Sequence, residues 1–180
     1  MLDASALIAK HRGKGVFVDT NLLVLWLVGS VSPRRILSFK RTQNFTVGDF
    51  QTLCGLMKWF GEPLITTPHI LSQVSDLTDL EGREAGLVRE LFRSTVEVVQ
   101  ERYDEARQLV RHPLFERFGL GDASIAAVCE RNIVVLTADV QLQIALACKG
   151  LDALDFNHVR SLGWRGPTPP WPGAGNETLS

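Results

Sequence analysis

Cysteine is scarce, with three residues, Cys54, Cys129 and Cys148, in a chain of 180. The number is odd, the spacings are wide, and each lies in an apolar stretch. Neither a disulfide framework nor a metal-ligand spacing can be built from them, so reduced core thiols in a cytosol are the simplest account. Long apolar runs are missing too. The most apolar early segment, Val16 to Val28, is interrupted by Asp19 and Asn21. No membrane span is expected, and Met1 to Gly15 lacks a signal-peptide pattern. There is no Gly-x-x-x-x-Gly-Lys-Ser/Thr phosphate loop and no Gly-x-Ser-x-Gly elbow. Gly119-Leu-Gly121 begins like a dinucleotide loop, but Ser124 stands where the last glycine belongs. His11, His69, His112 and His158 are isolated, and none pairs at metal-ligand spacing.

What is present fits one globular domain. At 45% hydrophobic and 22% charged residues, the chain can bury a core without covalent staples. The expected domain covers 1–163, with its core at about 16–160. Residues 164–180, rich in Gly and Pro, read as a mobile tail. The net charge of −1 hides an asymmetry: residues 1–60 carry eight Lys/Arg against three Asp/Glu, and residues 61–180 carry eleven against seventeen. Arg34, Arg35, Lys40 and Arg41 form the densest basic group. They are the candidate phosphate path, in competition with an ordinary solvated face.

Punctuation residues divide the chain into alternating strands and helices. Val16-Phe-Val18 reads as a buried strand, followed by a helix from Thr20 to Gly29 and a short helix from Arg34 to Lys40. Thr46 caps a helix in which Val47, Phe50, Leu53, Met57 and Phe60 recur at helical spacing. Pro63 to Thr66 is a second strand. Thr67-Pro68 fits the cap and first position of a helix to Leu77. A helix from Glu84 to Phe92, a third strand from Thr95 to Val99, and a polar helix from Glu101 to Arg111 follow. Asp122 opens an alanine-rich helix to Glu130. Asn132 to Leu136 is the clearest buried strand, then a helix from Val140 to Cys148 and a last strand from Leu151 to Phe156. This alternation predicts an α/β fold, a three-layer α/β/α domain with a short, mainly parallel sheet of four or five strands. Trp26 and Trp59 fall on apolar helix faces; Trp164 and Trp171 border the tail.

In parallel sheets, sites form beyond the carboxyl ends of the strands. Asp19 and Asp139 each follow a predicted strand, and Asp122 precedes one. Each sits where a helix begins, so each has a capping role open to it. Together they admit a second reading. Neighbouring carboxylates repel unless a cation lies between them, and a hard oxygen-seeking ion such as Mg2+ suits such a pocket. Asp19 as a phosphoryl-accepting nucleophile fits poorly, because Asn21 stands where that chemistry wants a second acid.

Four blocks resemble the motifs of the PIN family, in family order: Val18-Asp-Thr-Asn21, Thr66-Thr-Pro-His-Ile-Leu-Ser-Gln-Val74, Phe118-Gly-Leu-Gly-Asp-Ala-Ser-Ile125 and Leu136-Thr-Ala-Asp139. The resemblance spans about Val16 to Arg160. It implies a metal-dependent endoribonuclease using Mg2+ or Mn2+, of the kind found in toxin–antitoxin pairs and RNA processing. RNA, an antitoxin protein and a second copy of the chain are the implied partners, in the cytoplasm. Asp19, Asp122 and Asp139 match the metal-binding acids. Asn21 and Thr137 match positions that orient those acids or a bound water.

One position departs from the family pattern. Gln73 stands where the family usually has a Glu. A weakened but active site, partial substitution by Asp76 one turn further on, and a degenerate module that only binds RNA or protein are the three consequences to weigh. A metal phosphatase for small substrates is a further alternative.

Overall fold

The computed structural model describes residues 4–163. Five strands form one all-parallel sheet: β1 (Val16–Val18), β2 (Leu64–Thr66), β3 (Gln100–Glu101), β4 (Val135–Thr137) and β5 (Ala153–Asp155). Helices cover the two faces: α1 (Ala4–Lys10), α2 (Thr20–Val31), α3 (Val47–Phe60), α4 (Pro68–Leu77), α5 (Arg83–Val96), α6 (Ala106–Leu109), α7 (Phe115–Cys129), α8 (Val140–Cys148) and α9 (Phe156–Ser161). The expected three-layer α/β/α architecture is what forms. The expectation for 164–180, with Trp164 and Trp171, lies outside the described residues. Among the described residues, no helix is long and apolar enough to cross a membrane.

The sheet order is β3-β2-β1-β4-β5. From β1 the chain moves outward through β2 to β3, then returns to place β4 on the other side of β1. Phe17 is therefore paired with Ile65 on one side and Val135 on the other. This reversal of winding opens a crevice at the carboxyl ends of β1 and β4. The central strands are buried on both faces, so Val16-Phe-Val18 reads as a continuous apolar run rather than an alternation. Phe17, Phe60 and Phe156 are completely enclosed, and each such side chain contributes roughly 1.5–3 kcal/mol through burial.

Local signals position the helices around the crevice. Thr46 and Asp49 form a reciprocal capping box at the start of α3. Thr67 caps α4, with Pro68 in its first turn, as the sequence predicts. α2 is buried almost all round. Gly29 on α2 gives the Phe50 ring its seat: a Cβ there would come within 2.4 Å of that ring.

Four expectations are corrected. Thr95 to Val99 is not a strand: α5 runs through Val96, and Val98 and Val99 close its end with N–H bonds to the Thr95 carbonyl. Its valines alternate toward solvent, with Val98 78% exposed, so the period marks no buried face. The third strand is Gln100–Glu101, which replaces the start of the polar helix; only Ala106–Leu109 of that helix forms. An edge strand needs only its backbone to pair, so this polar dipeptide carries no strand signal. The segment from Arg34 to Lys40 holds a 3-10 turn, Pro33–Arg35, followed by irregular turns. The helix of Asp122 opens slightly before it: α7 consists of two helical segments that meet at the non-helical Gly119 (φ 81°), and Asp122 lies in the first turn of the second, which runs on to Cys129. Helices α1 and α9 were not anticipated.

Candidate functional site: an acidic pocket at the carboxyl edge of the sheet

Asp19 follows β1 and is the N-cap of α2. Its backbone N–H donates to the Leu136 carbonyl at 3.0 Å, which ties it to β4. Oδ1 accepts from the Thr20 N–H at 2.6 Å, and Oδ2 accepts from the Thr137 hydroxyl at 2.6 Å. The residue is only 5% exposed. Burial raises its pKa, the bonds from Thr137 and Thr20 pull the other way, and the Asp139 charge adds to the rise.

Asp139 follows β4 and caps α8. Its Oδ1 accepts from the N–H groups of Gln141 at 2.8 Å and Leu142 at 3.0 Å. Its own N–H donates to the Thr137 hydroxyl at 2.9 Å. The buried Thr137 hydroxyl thus gives a hydrogen bond to one aspartate and takes one from the backbone of the other.

Asp122 enters from α7, three residues beyond the Gly119 break. Its carboxyl is pushed up to about 7, first by burial and then by the charges of Asp19 and Asp139. The three acids share one open pocket of about 410 Å3 with Thr20, Asn21, Gln73, Asp76 and Leu77. No lysine or arginine lines it.

Gln73 reaches the pocket from α4. Its Oε1 accepts from the Thr20 hydroxyl at 2.7 Å. Its Nε2 lies against Gly121, where a Cβ would come within 2.6 Å of it. The amide therefore fills the space between the start of α2 and the wall of α7. Asp76, one turn further along α4, lines the same pocket. Thr67 and Ser124 pair their hydroxyls at 3.0 Å below it, which pins the start of α4 to α7.

The chain matches no family model, no curated protein and no solved structure.

The donors around the pocket are carboxylate, amide and hydroxyl oxygens, the chemistry a hard divalent cation takes. Burial, and after it the charges of Asp19 and Asp139, raise Asp122, and a cation among the three acids would offset that clustered negative charge. As placed, no three His, Cys, Asp or Glu side chains among the described residues form a ready metal-holding group. The capping bonds explain part of this, since Asp19 and Asp139 each give an oxygen to the helix they start. The capping and cation-binding roles are thus not exclusive: each carboxylate has a second oxygen, although that of Asp19 is taken by Thr137.

The basic group does not line this pocket. Arg35 is bonded to Glu84, and Lys40 to Asp79 at 2.8 Å. Arg34 and Arg41 are exposed. Thr20 and Gly121 were present in the quoted motif blocks but had no role assigned to them. Their part depends on the Gln73 side chain lying between them, and no spacing along the chain reveals that.

Proposed function

We propose that this chain is a PIN-type ribonuclease that uses Mg2+ or Mn2+ to hydrolyse RNA phosphodiester bonds. The observation that carries the reading is the meeting of Asp19, Asp122 and Asp139, from three separate elements, around one pocket without a basic side chain. The order of the four motif blocks along the chain supports it further. Asp19, Asp122 and Asp139 would hold the metal. When bound, that ion supplies Lewis acidity to the phosphodiester and brings a water toward hydroxide near neutral pH.

The protein's own groups do the rest. Thr137 orients Asp19. Asn21 stands beside it at the pocket wall, and Thr20 fixes the Gln73 amide. Asp122, raised by burial and by its acidic neighbours when no cation is present, would release its proton on holding the ion. The reading carries a cytoplasmic location with it, along with an antitoxin protein and a second copy as partners to seek.

Asp19→Asn decides the matter. The variant should keep its fold by circular dichroism and lose cleavage of a labelled RNA in Mg2+ or Mn2+. Normal cleavage by that variant would remove the pocket from consideration.

A second reading is favoured by the neutrality of Gln73 and by the engagement of both Asp19 oxygens. In it the chain is a degenerate PIN module that binds RNA or a protein without cutting. Calorimetric titration separates the two, because a degenerate module takes up neither Mg2+ nor Mn2+ at millimolar concentration.

A further inference from the structure

Arg117 lies in α7 ahead of the Gly119 break, and Asp122 lies beyond it. The positive φ of 81° at Gly119 turns the chain between them, a backbone state that glycine adopts without penalty. Nη2 of Arg117 donates to Oε1 of Gln141 at 2.7 Å. The backbone N–H of Gln141 donates in turn to Oδ1 of Asp139 at 2.8 Å. One residue, Gln141, thus links a cation to a carboxylate of the acidic pocket. The guanidinium carbon sits 4.9 Å from the centre of the Phe118 ring, which gives the group a second point of support.

Among the described residues, Arg117 is one of several arginines that form no ion pair, whereas four others do. Arg35, Arg107, Arg131 and Arg160 each meet a carboxylate. Arg117 meets a neutral amide, and it is exposed to solvent. A guanidinium has five N–H donors in a planar fork, so one bond to Gln141 leaves most of them available. That fork suits two oxygens of a phosphate. An acidic pocket also needs such a group nearby, because its carboxylates repel the polyanion it is to act on.

From this placement we infer that Arg117 is the phosphate-binding residue of the pocket. It grips a backbone phosphate of an RNA strand whose neighbouring phosphodiester lies among the aspartates. Gln141 is a positioning residue that holds the guanidinium at the rim. The inference rests on the ribonuclease reading for its choice of RNA. It moves the phosphate path from the Arg34 to Arg41 group, where two of the four cations are already paired, to the mouth of the pocket.

The test is binding of a fluorescein-labelled oligouridine, followed by anisotropy across a salt series, with calcium in place of magnesium. Arg117→Ala should weaken binding about fivefold, the upper range for an exposed charge contact. It should also lower the slope of log affinity against log salt by about 0.7, the share of one phosphate contact on a single strand. Arg117→Lys should keep the slope while losing part of the affinity. Gln141→Leu should do the same, since it frees the guanidinium without removing its charge. Lys149→Ala, at the far end of α8, should bind as the wild type does.

Wild-type protein that does not bind the oligonucleotide overturns the inference. So does Arg117→Ala with unchanged affinity and slope. Binding that depends on Arg117, without cleavage in Mg2+ or Mn2+, retains the clamp and refutes the nuclease. Cleavage that Arg117→Ala retains in full, with unchanged binding, refutes the clamp and spares the nuclease.

Discussion

The Thr137 hydroxyl stands 2.6 Å from Oδ2 of Asp19, across a gap of 118 residues in the chain. It also accepts the N–H of Asp139 at 2.9 Å. One buried side chain therefore sets the relative placement of two aspartates just beyond the ends of neighbouring strands. Thr137→Val keeps the shape and removes the donor. A buried acceptor that loses its partner costs about 1–3 kcal/mol. For a chain of this size, each kcal/mol moves the melting temperature by about 2–4 °C. Thermal unfolding should show that fall, and an unchanged melting temperature would mean that the hydroxyl contributes nothing.

Asp122 predicts how stability varies with pH. Its folded pKa, about 7, lies above its ordinary value of 3.8. The folded chain therefore holds the proton more tightly than the unfolded chain. Stability from this group is full below about pH 4, declines as pH rises toward 7, and then levels. Asp19 shifts in the same direction. Asp122→Asn removes the effect of its carboxyl. Without added metal, variant and wild type should melt together near about pH 4, below which the group's contribution is full. Near about pH 8 the variant should melt higher by about 2–4 °C, because partial exposure holds the penalty to the order of 1 kcal/mol. A variant no more stable than wild type at the higher pH contradicts this account.

Gln73→Glu replaces an amide by a carboxylate at a place already shaped for it, between the Thr20 hydroxyl and Gly121. Ligand charge tunes cation affinity. Manganese binding by calorimetry should tighten by on the order of tenfold, with RNA cleavage rising in parallel. If both stay as they are, Gln73 does not face the ion.

Gly29→Ala sets two effects against each other. Alanine favours a helix over glycine by about 1 kcal/mol. The new methyl would stand 2.4 Å from the Phe50 ring, and overpacking of that kind costs about 1–3 kcal/mol. Packing should win, giving a lower midpoint in urea. A raised midpoint would show that Phe50 can move aside without cost.

Much of the frame was legible because its causes are local. Val16-Phe-Val18 announces a strand buried on both faces. Thr46, and Thr67 with Pro68, mark helix starts through bonds that span three residues. β3 was not legible, because an edge strand of Gln-Glu is held by backbone pairing to β2 and shows no apolar pattern. Arg117 was overlooked for a related reason: its partner, Gln141, is 24 residues away.

By itself the sequence determined that Asp19 and Asp139 would end strands and start helices, since apolar runs stop at them and a carboxylate satisfies free N–H groups. Only the tertiary structure decided that β4 would lie beside β1. It also decided that Gln73 would rest on Gly121, and that Arg117 would bond the side chain of Gln141. Those outcomes depend on which strands pair and which helix faces meet. That choice is made over long separations by burial of the shared core, and no short stretch of residues carries it.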